Sequence, residues 1–122
     1  MTILIKSPSI VKASGTKEKI IKEYFGKVNS KTSEVSIAMM KSPEGWEEPG
    51  QTPEFNEYTL VLKGKLKLIT RKEEIILSEG EAVMTEKGEW LKYSTPFSGG
   101  AEYVAVCLPA FSPSTVHRDD DL

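Results

Sequence analysis

An all-β sandwich or barrel is the fold class that the sequence predicts, and three observations predict it. Short segments with apolar residues at every second position recur along the chain at near-regular spacing. Most of them are divided by turns that carry glycine: Lys63-Gly64, Ser78-Glu79-Gly80, Lys87-Gly88 and Ser98-Gly99-Gly100. Apolar residues make up 39% and charged residues 28% of 122 residues, a composition that suits one soluble domain able to bury a core.

Taken in order, Thr16 to Phe25 (TKEKIIKEYF) places Ile20, Ile21, Tyr24 and Phe25 at helical spacing behind a Thr that can cap, with Gly26 as a stop, so a short N-terminal helix is expected. From Ser33 the period changes to two. Val35, Ile37 and Met39 fall on one face of a strand, and Ser36, Ala38 and Met40 on the other, both apolar enough for a strand enclosed on two sides. Further strands are expected at Glu57 to Lys63, Lys65 to Thr70, Glu73 to Leu77, Ala82 to Thr85, Trp90 to Ser94 and Tyr103 to Leu108. The polar C-terminal stretch SPSTVHRDDDL reads as a tail over the barrel surface or its mouth. No repeat or linker divides the chain. One domain over 1–122 is expected, with a barrel core at about 34–110 and a tail at 111–122.

Composition narrows the function. Sixteen Lys and Arg against 18 Asp and Glu give a net charge of -2, interleaved along the chain, so no nucleic-acid partner is expected. Apolar runs such as Tyr58 to Leu62 fall far short of a membrane span of roughly 20 residues. The start, MTILIKSPS, lacks the parts of a secretory signal, which makes a cytoplasmic address the expectation. A single cysteine, Cys107, excludes an internal disulfide, and the single histidine, His117, lies near the C-terminus. The commonest metal ligands and general bases are thus nearly absent.

The stretch EPGQTPEFNEYTLVLKG raises the question of function. Counting from Gly45, five residues lead to Gln51, one to Pro53, three to Glu57 and six to Gly64. A second array runs Gly80, five residues, Glu86, one, Gly88, two, Leu91, three, Thr95. Gly64, Gly80 and Gly88 stand where tight reversals call for a positive φ. Both spacings resemble the two motifs of the cupin superfamily, over roughly residues 34 to 110. The resemblance implies a double-stranded β-helix, the cupin jelly-roll barrel, with a pocket lined from both motifs and a homodimer formed through the sheets. It also implies a metal held by three histidines and a glutamate, of which this chain keeps only Glu57. Gln51 offers an amide oxygen, Pro53 nothing and Leu91 hydrocarbon. No tightly bound metal cofactor is expected, because such a set lacks the imidazoles that divalent transition metals prefer.

Alternation puts Glu57, Thr59 and Val61 on the barrel-facing side of their strand. Glu57 is then either a general base or hydrogen-bond acceptor for a ligand, or a carboxylate hydrated or paired to lysine near the mouth. Tyr93, on the inward face of the second motif strand with Leu91 and Thr95, is either a phenol facing Glu57 or a packing residue. Trp46 and Trp90 are candidate pocket walls or core residues, and Met39 and Gln51 complete the candidate ligand-binding set. His117 and Arg118 either fold back to meet an anion at the mouth or stay solvated; Cys107 reads as core.

Three readings follow. The first is a barrel that binds a small molecule without a tightly held metal. The second is a lyase, isomerase or cyclase with Glu57 as base, Tyr93 or His117 as acid, and a weakly bound divalent metal as an option. The third is a structural barrel that dimerises through the outward face of Tyr58, Leu60 and Leu62.

Overall fold

The structure is a computed structural model that describes residues 1–119. Asp120 and Asp121 of the expected acidic tail lie outside the described residues. Ten strands follow one another: β1 (Ser9–Val11), β2 (Ile20–Phe25), β3 (Ser36–Ser42), β4 (Trp46–Glu47), β5 (Asn56–Gly64), β6 (Leu66–Thr70), β7 (Glu74–Leu77), β8 (Ala82–Thr85), β9 (Leu91–Thr95) and β10 (Ala101–Leu108). They form a six-stranded sheet in the order β1-β2-β3-β10-β5-β8 and a four-stranded sheet in the order β4-β9-β6-β7, paired antiparallel throughout.

The alternation seen in the sequence sets which face each strand buries. On β5, Glu57, Thr59 and Val61 are buried while Tyr58, Leu60 and Leu62 are exposed. Leu91, Tyr93 and Thr95 of β9, and Ala101, Tyr103, Ala105 and Cys107 of β10, also turn inward. Where the two sheets close on each other, Val61, Leu66, Leu68, Leu77 and Leu91 pack into one apolar cluster with Trp46, Tyr93 and Tyr103. Gly64 ends β5 at φ 76°, and a Cβ there would lie 2.1 Å from the Gly100 carbonyl oxygen, so the turn and the close approach of two chains both require glycine.

The expected helix over Thr16 to Phe25 is not formed; among the described residues there is no helix. Its apolar half is instead β2, which pairs with β3 through Ile21↔Met40 and Glu23↔Ala38. A helix of about ten residues is marginal alone in water, and Ile, Tyr and Phe suit a pleated surface. The open edge of β3 gives this segment a ladder of hydrogen bonds that outweighs its helical spacing.

The chain leaves β10 and folds back as a strap across one end of the double sheet. The Glu54 amide donates to the Thr115 carbonyl at 2.9 Å, that of Thr52 to His117 at 3.1 Å, and that of Asp119 to Gly50 at 2.8 Å. Phe55 and Phe111 meet edge to face at 5.9 Å, with Cys107 and Val116 in the same small cluster. No described helix is long and apolar enough to cross a membrane.

Candidate functional site

A cavity of about 60 Å³ lies between the sheets under the strap. Its floor is made of small side chains, Ser36 and Ala38 of β3 and Ala105 of β10, and this is why the interior is not filled there. Around them stand Glu57 and Thr59 of β5, Tyr93 of β9, and Tyr103 and Cys107 of β10. Glu48 and Gln51 come from the segment between β4 and β5, Lys19 from the approach to β2, and Arg118 from the strap.

The site is unusually acidic for its burial. Glu48, Gln51 and Glu57 are 5%, 4% and 7% exposed. The Glu57 Oε2 accepts a hydrogen bond from the Cys107 thiol at 3.4 Å, and the Glu48 Oε1 accepts one from the Tyr93 amide at 3.3 Å. Burial pushes the Glu48 carboxyl up from its ordinary 4.5 to about 7; Lys19 and Arg118 pull the other way, and the charge of Glu57 adds to the rise. Burial raises Glu57 as well, countered in part by the Cys107 hydrogen bond and by Lys19. Tyr93 is pushed well above the ordinary phenol range by burial and then by the neighbouring charge of Glu57. It therefore keeps its proton, and its hydroxyl lies 3.3 Å from the Thr59 Oγ1. Burial also pushes the Cys107 thiol up, with Glu57 adding to the rise, so it is not a nucleophile in this setting.

Three buried polar atoms have no hydrogen-bond partner within the protein: Oε1 of Gln51, Oε1 of Glu57 and Nε of Arg118. All three belong to residues that line this one cavity. Each such atom costs on the order of 1–3 kcal/mol when left unpaired, more where charge is involved. Gathered around one cavity, they are free to bond to water or to a ligand held there.

Of the residues singled out from sequence, Gln51, Glu57 and Tyr93 meet at the cavity. The others do not. Met39 turns to the opposite face of β3, opposite Val104 and Lys22, and Met40 takes the cavity position; with both faces apolar, the pattern did not distinguish them. Trp46 is buried in the packed cluster, its indole donating to the Ser14 carbonyl at 3.0 Å, with Lys19 lying over its ring. Trp90 sits outside, where its indole donates to the Asp119 carboxylate at 2.9 Å and Arg71 stacks on it at 4.2 Å. His117 is exposed at the surface of the strap, paired with Glu54. Of the proposed fold-back of His117 and Arg118, only the guanidinium reaches the cavity.

Glu48 and Lys19 escaped the sequence reading. Glu47 and Glu48 are neighbours with opposite surroundings, the first paired with Lys92 near the surface and the second buried, and nothing in WEEPG separates them. Lys19 is placed by the pairing of β2 with β3, which the helical reading missed.

The residues do not fit the metal of the resembled fold. Pro53 and Leu91 occupy two of its ligand positions, both fully buried, and Leu91 is part of the apolar cluster. Among the described residues no three His, Cys, Asp or Glu side chains stand close enough to share an ion, and Lys19 and Arg118 bring positive charge to the same cavity.

Comparison with known proteins agrees with this architecture. The chain is 36% identical over 101 residues to a protein named endoribonuclease YbeY of Myxococcus xanthus; the match takes in 83% of this chain but only 34% of that protein, so the chain spans about a third of its length. The solved structure of the EutQ protein of Clostridium difficile is 25% identical with a TM-score of 0.63, the match covering 75% of this chain and 63% of that one. That of the polyketide cyclase RemF from Streptomyces resistomycificus superposes with a TM-score of 0.75 at 16% identity, over 100% of this chain and 86% of that one. The family profile of the cupin domain matches residues 38–107, more than half of the chain. The chain belongs to the cupin family, with its metal-ligand positions replaced by Gln51, Pro53 and Leu91.

Proposed function

We propose that this barrel binds a small polar molecule in the cavity between its sheets, without a tightly held metal. The observation that carries the reading is the set of unpartnered buried atoms on Gln51, Glu57 and Arg118, which share one cavity and supply both acceptors and a donor. A bound molecule with complementary groups would satisfy all three. Titration calorimetry of the protein against small hydroxy acids, polyols, amides and sugars tests it. At least one class should bind below millimolar, and Glu57→Gln should weaken it about tenfold, the worth of one buried hydrogen bond. Absence of binding across the panel contradicts the proposal.

A second reading, proton-transfer catalysis of the lyase, isomerase or cyclase type, is favoured by one further observation. Glu48 and Glu57 are two buried carboxyl groups raised by the same cavity, and Glu48 at about 7 is poised to exchange protons at neutral pH. Tyr93 serves there as a hydrogen-bond donor, since its proton is held too firmly for an acid at neutral pH. A bound ligand that exchanges a carbon-bound hydrogen for solvent deuterium, and stops doing so in Glu57→Gln, supports this reading; no exchange in the wild type removes it.

The activity named for the Myxococcus protein belongs to a longer chain, only 34% of which the match takes in. The outward face of the larger sheet, with Tyr58, Leu60 and Met84 exposed beside Val104 and Val106, is our proposed surface for pairing with a second copy. Light scattering that returns the monomer mass at all concentrations contradicts it.

A further inference from the structure

We propose that the ligand of this cavity is a small carboxylate bearing a hydroxyl or amino group beside it, its anionic end held by Arg118 and Lys19 and its donor end by Glu57 and Gln51. The inference rests on the ligand-binding reading above and narrows it to a chemical class.

The cationic side comes from two distant parts of the chain. Lys19 reaches the cavity just ahead of β2, and Arg118 is carried there by the strap. Among the described residues neither forms an ion pair; the three ion pairs found involve Lys67, Lys92 and His117. Aromatic faces hold them instead. The Lys19 ammonium lies 4.2 Å from the Trp46 ring centre and 5.1 Å from that of Tyr103, and the Arg118 guanidinium 5.7 Å from that of Phe111. Ring faces position a cation without neutralising it, so its charge stays available to a ligand.

The acidic groups of the cavity are each partly engaged. Glu23 accepts from the amides of Val28 at 3.0 Å and Asn29 at 2.8 Å, Glu48 from the Tyr93 amide, and Glu57 from the Cys107 thiol.

Each ligand class can be set against this lining. A cationic amine would meet Lys19 and Arg118 at close range. A neutral polyol would leave the buried Arg118 Nε–H facing an uncharged oxygen. A carboxylate accepts from Arg118 in a charge-assisted hydrogen bond, about twice as strong as a neutral one. The remaining unpartnered oxygens, on Gln51 and Glu57, then call for donors, which a neighbouring hydroxyl or amino group supplies. Size limits the skeleton: about 60 Å³ corresponds to roughly four to six water positions, enough for a two- or three-carbon acid.

A matched three-carbon series tests the assignment by calorimetry on the full chain at neutral pH: lactate, propionate, propane-1,2-diol and 1-amino-2-propanol. Lactate should bind tightest, propionate about tenfold weaker for want of one hydrogen bond, and the diol and the amine weaker still. Arg118→Gln should cost lactate at least about tenfold and leave the diol little changed, and Lys19→Gln, which leaves the strap untouched, should act in the same direction. The inference is overturned if the diol or the amine binds as well as lactate, if both variants keep the wild-type affinity for lactate, or if all four compounds fail to bind. Should all four fail while a neutral amide or sugar from the wider panel binds, the ligand-binding reading stands and only this narrowing falls.

Discussion

The two ends of this barrel's interior are built from the same strands and are chemically opposite. Toward one end, Val61, Leu66, Leu68, Leu77 and Leu91 pack together with almost no exposure. Toward the other, the same β5 and β9 present Glu57, Thr59 and the hydroxyl of Tyr93, whose ring joins the apolar cluster, and the space between them is left unfilled. The dry end is what burial of hydrocarbon dictates. The polar end lowers stability, since buried carboxyl groups and unpartnered atoms oppose folding. The contrast separates residues that hold the fold from residues that we propose do the binding.

The largest expected effect is at the dry end. Leu68→Ala should cost about 2–5 kcal/mol in urea unfolding, the range for an emptied leucine site in a packed core. Its ligand affinity, measured on the fraction that remains folded, should stay near that of the wild type. A loss of binding without loss of stability would break the division between the two ends.

Next comes the response to pH. The Glu48 carboxyl has a folded value of about 7 against an ordinary 4.5, so the folded chain holds this proton more tightly than the unfolded chain does. Its contribution is at its most favourable below about pH 4.5 and is lost as the pH rises through 7, by about 3 kcal/mol at most. Glu57, also raised by burial, acts with the same sign. Denaturant midpoints should therefore fall between mildly acidic and mildly alkaline pH, and Glu48→Gln should flatten the slope. An unchanged slope in that variant would place the titration elsewhere.

At the polar end itself, Glu57→Gln should leave stability unchanged or slightly higher, because an uncharged amide costs less to bury than a carboxylate, while ligand affinity falls about tenfold. The smallest effect is expected at His117→Ala. The exposed pair with Glu54 is worth at most about 1 kcal/mol, and its removal should leave ligand affinity in place.

Legibility in the sequence follows the same division. The positions of β3 and of β5 to β10, and the inward face of β5, could be read because the side-chain period is two and one face of β5 is exposed, whereas the short β1 and β4 carry too few residues to show a period. Gln51, Glu57 and Tyr93 could be read because motif spacing and alternation agree on them. β2 could not, because Ile20, Ile21, Tyr24 and Phe25 fit a helix and a strand equally, and only the open edge of β3 decides between them. Met39 and Met40 could not be told apart on a strand whose two faces are both apolar in the sequence. Glu48 and Lys19 come to the cavity from segments outside the strands, along paths set by the packing of the whole chain, whereas the fold-back of Arg118 was one of two readings the tail allowed.

The central claim is that the acidic end of the barrel is an organic ligand's site and not the remnant of a metal centre. A crystal structure of the protein soaked in lactate, with anomalous data collected at transition-metal edges, tests it most directly. The account predicts density for the acid within hydrogen-bonding distance of Arg118 Nε, Glu57 Oε1 and Gln51 Oε1, and no anomalous peak in the cavity. A strong anomalous peak beside Glu57, or a collapsed cavity in which those three atoms bond to one another, would contradict it.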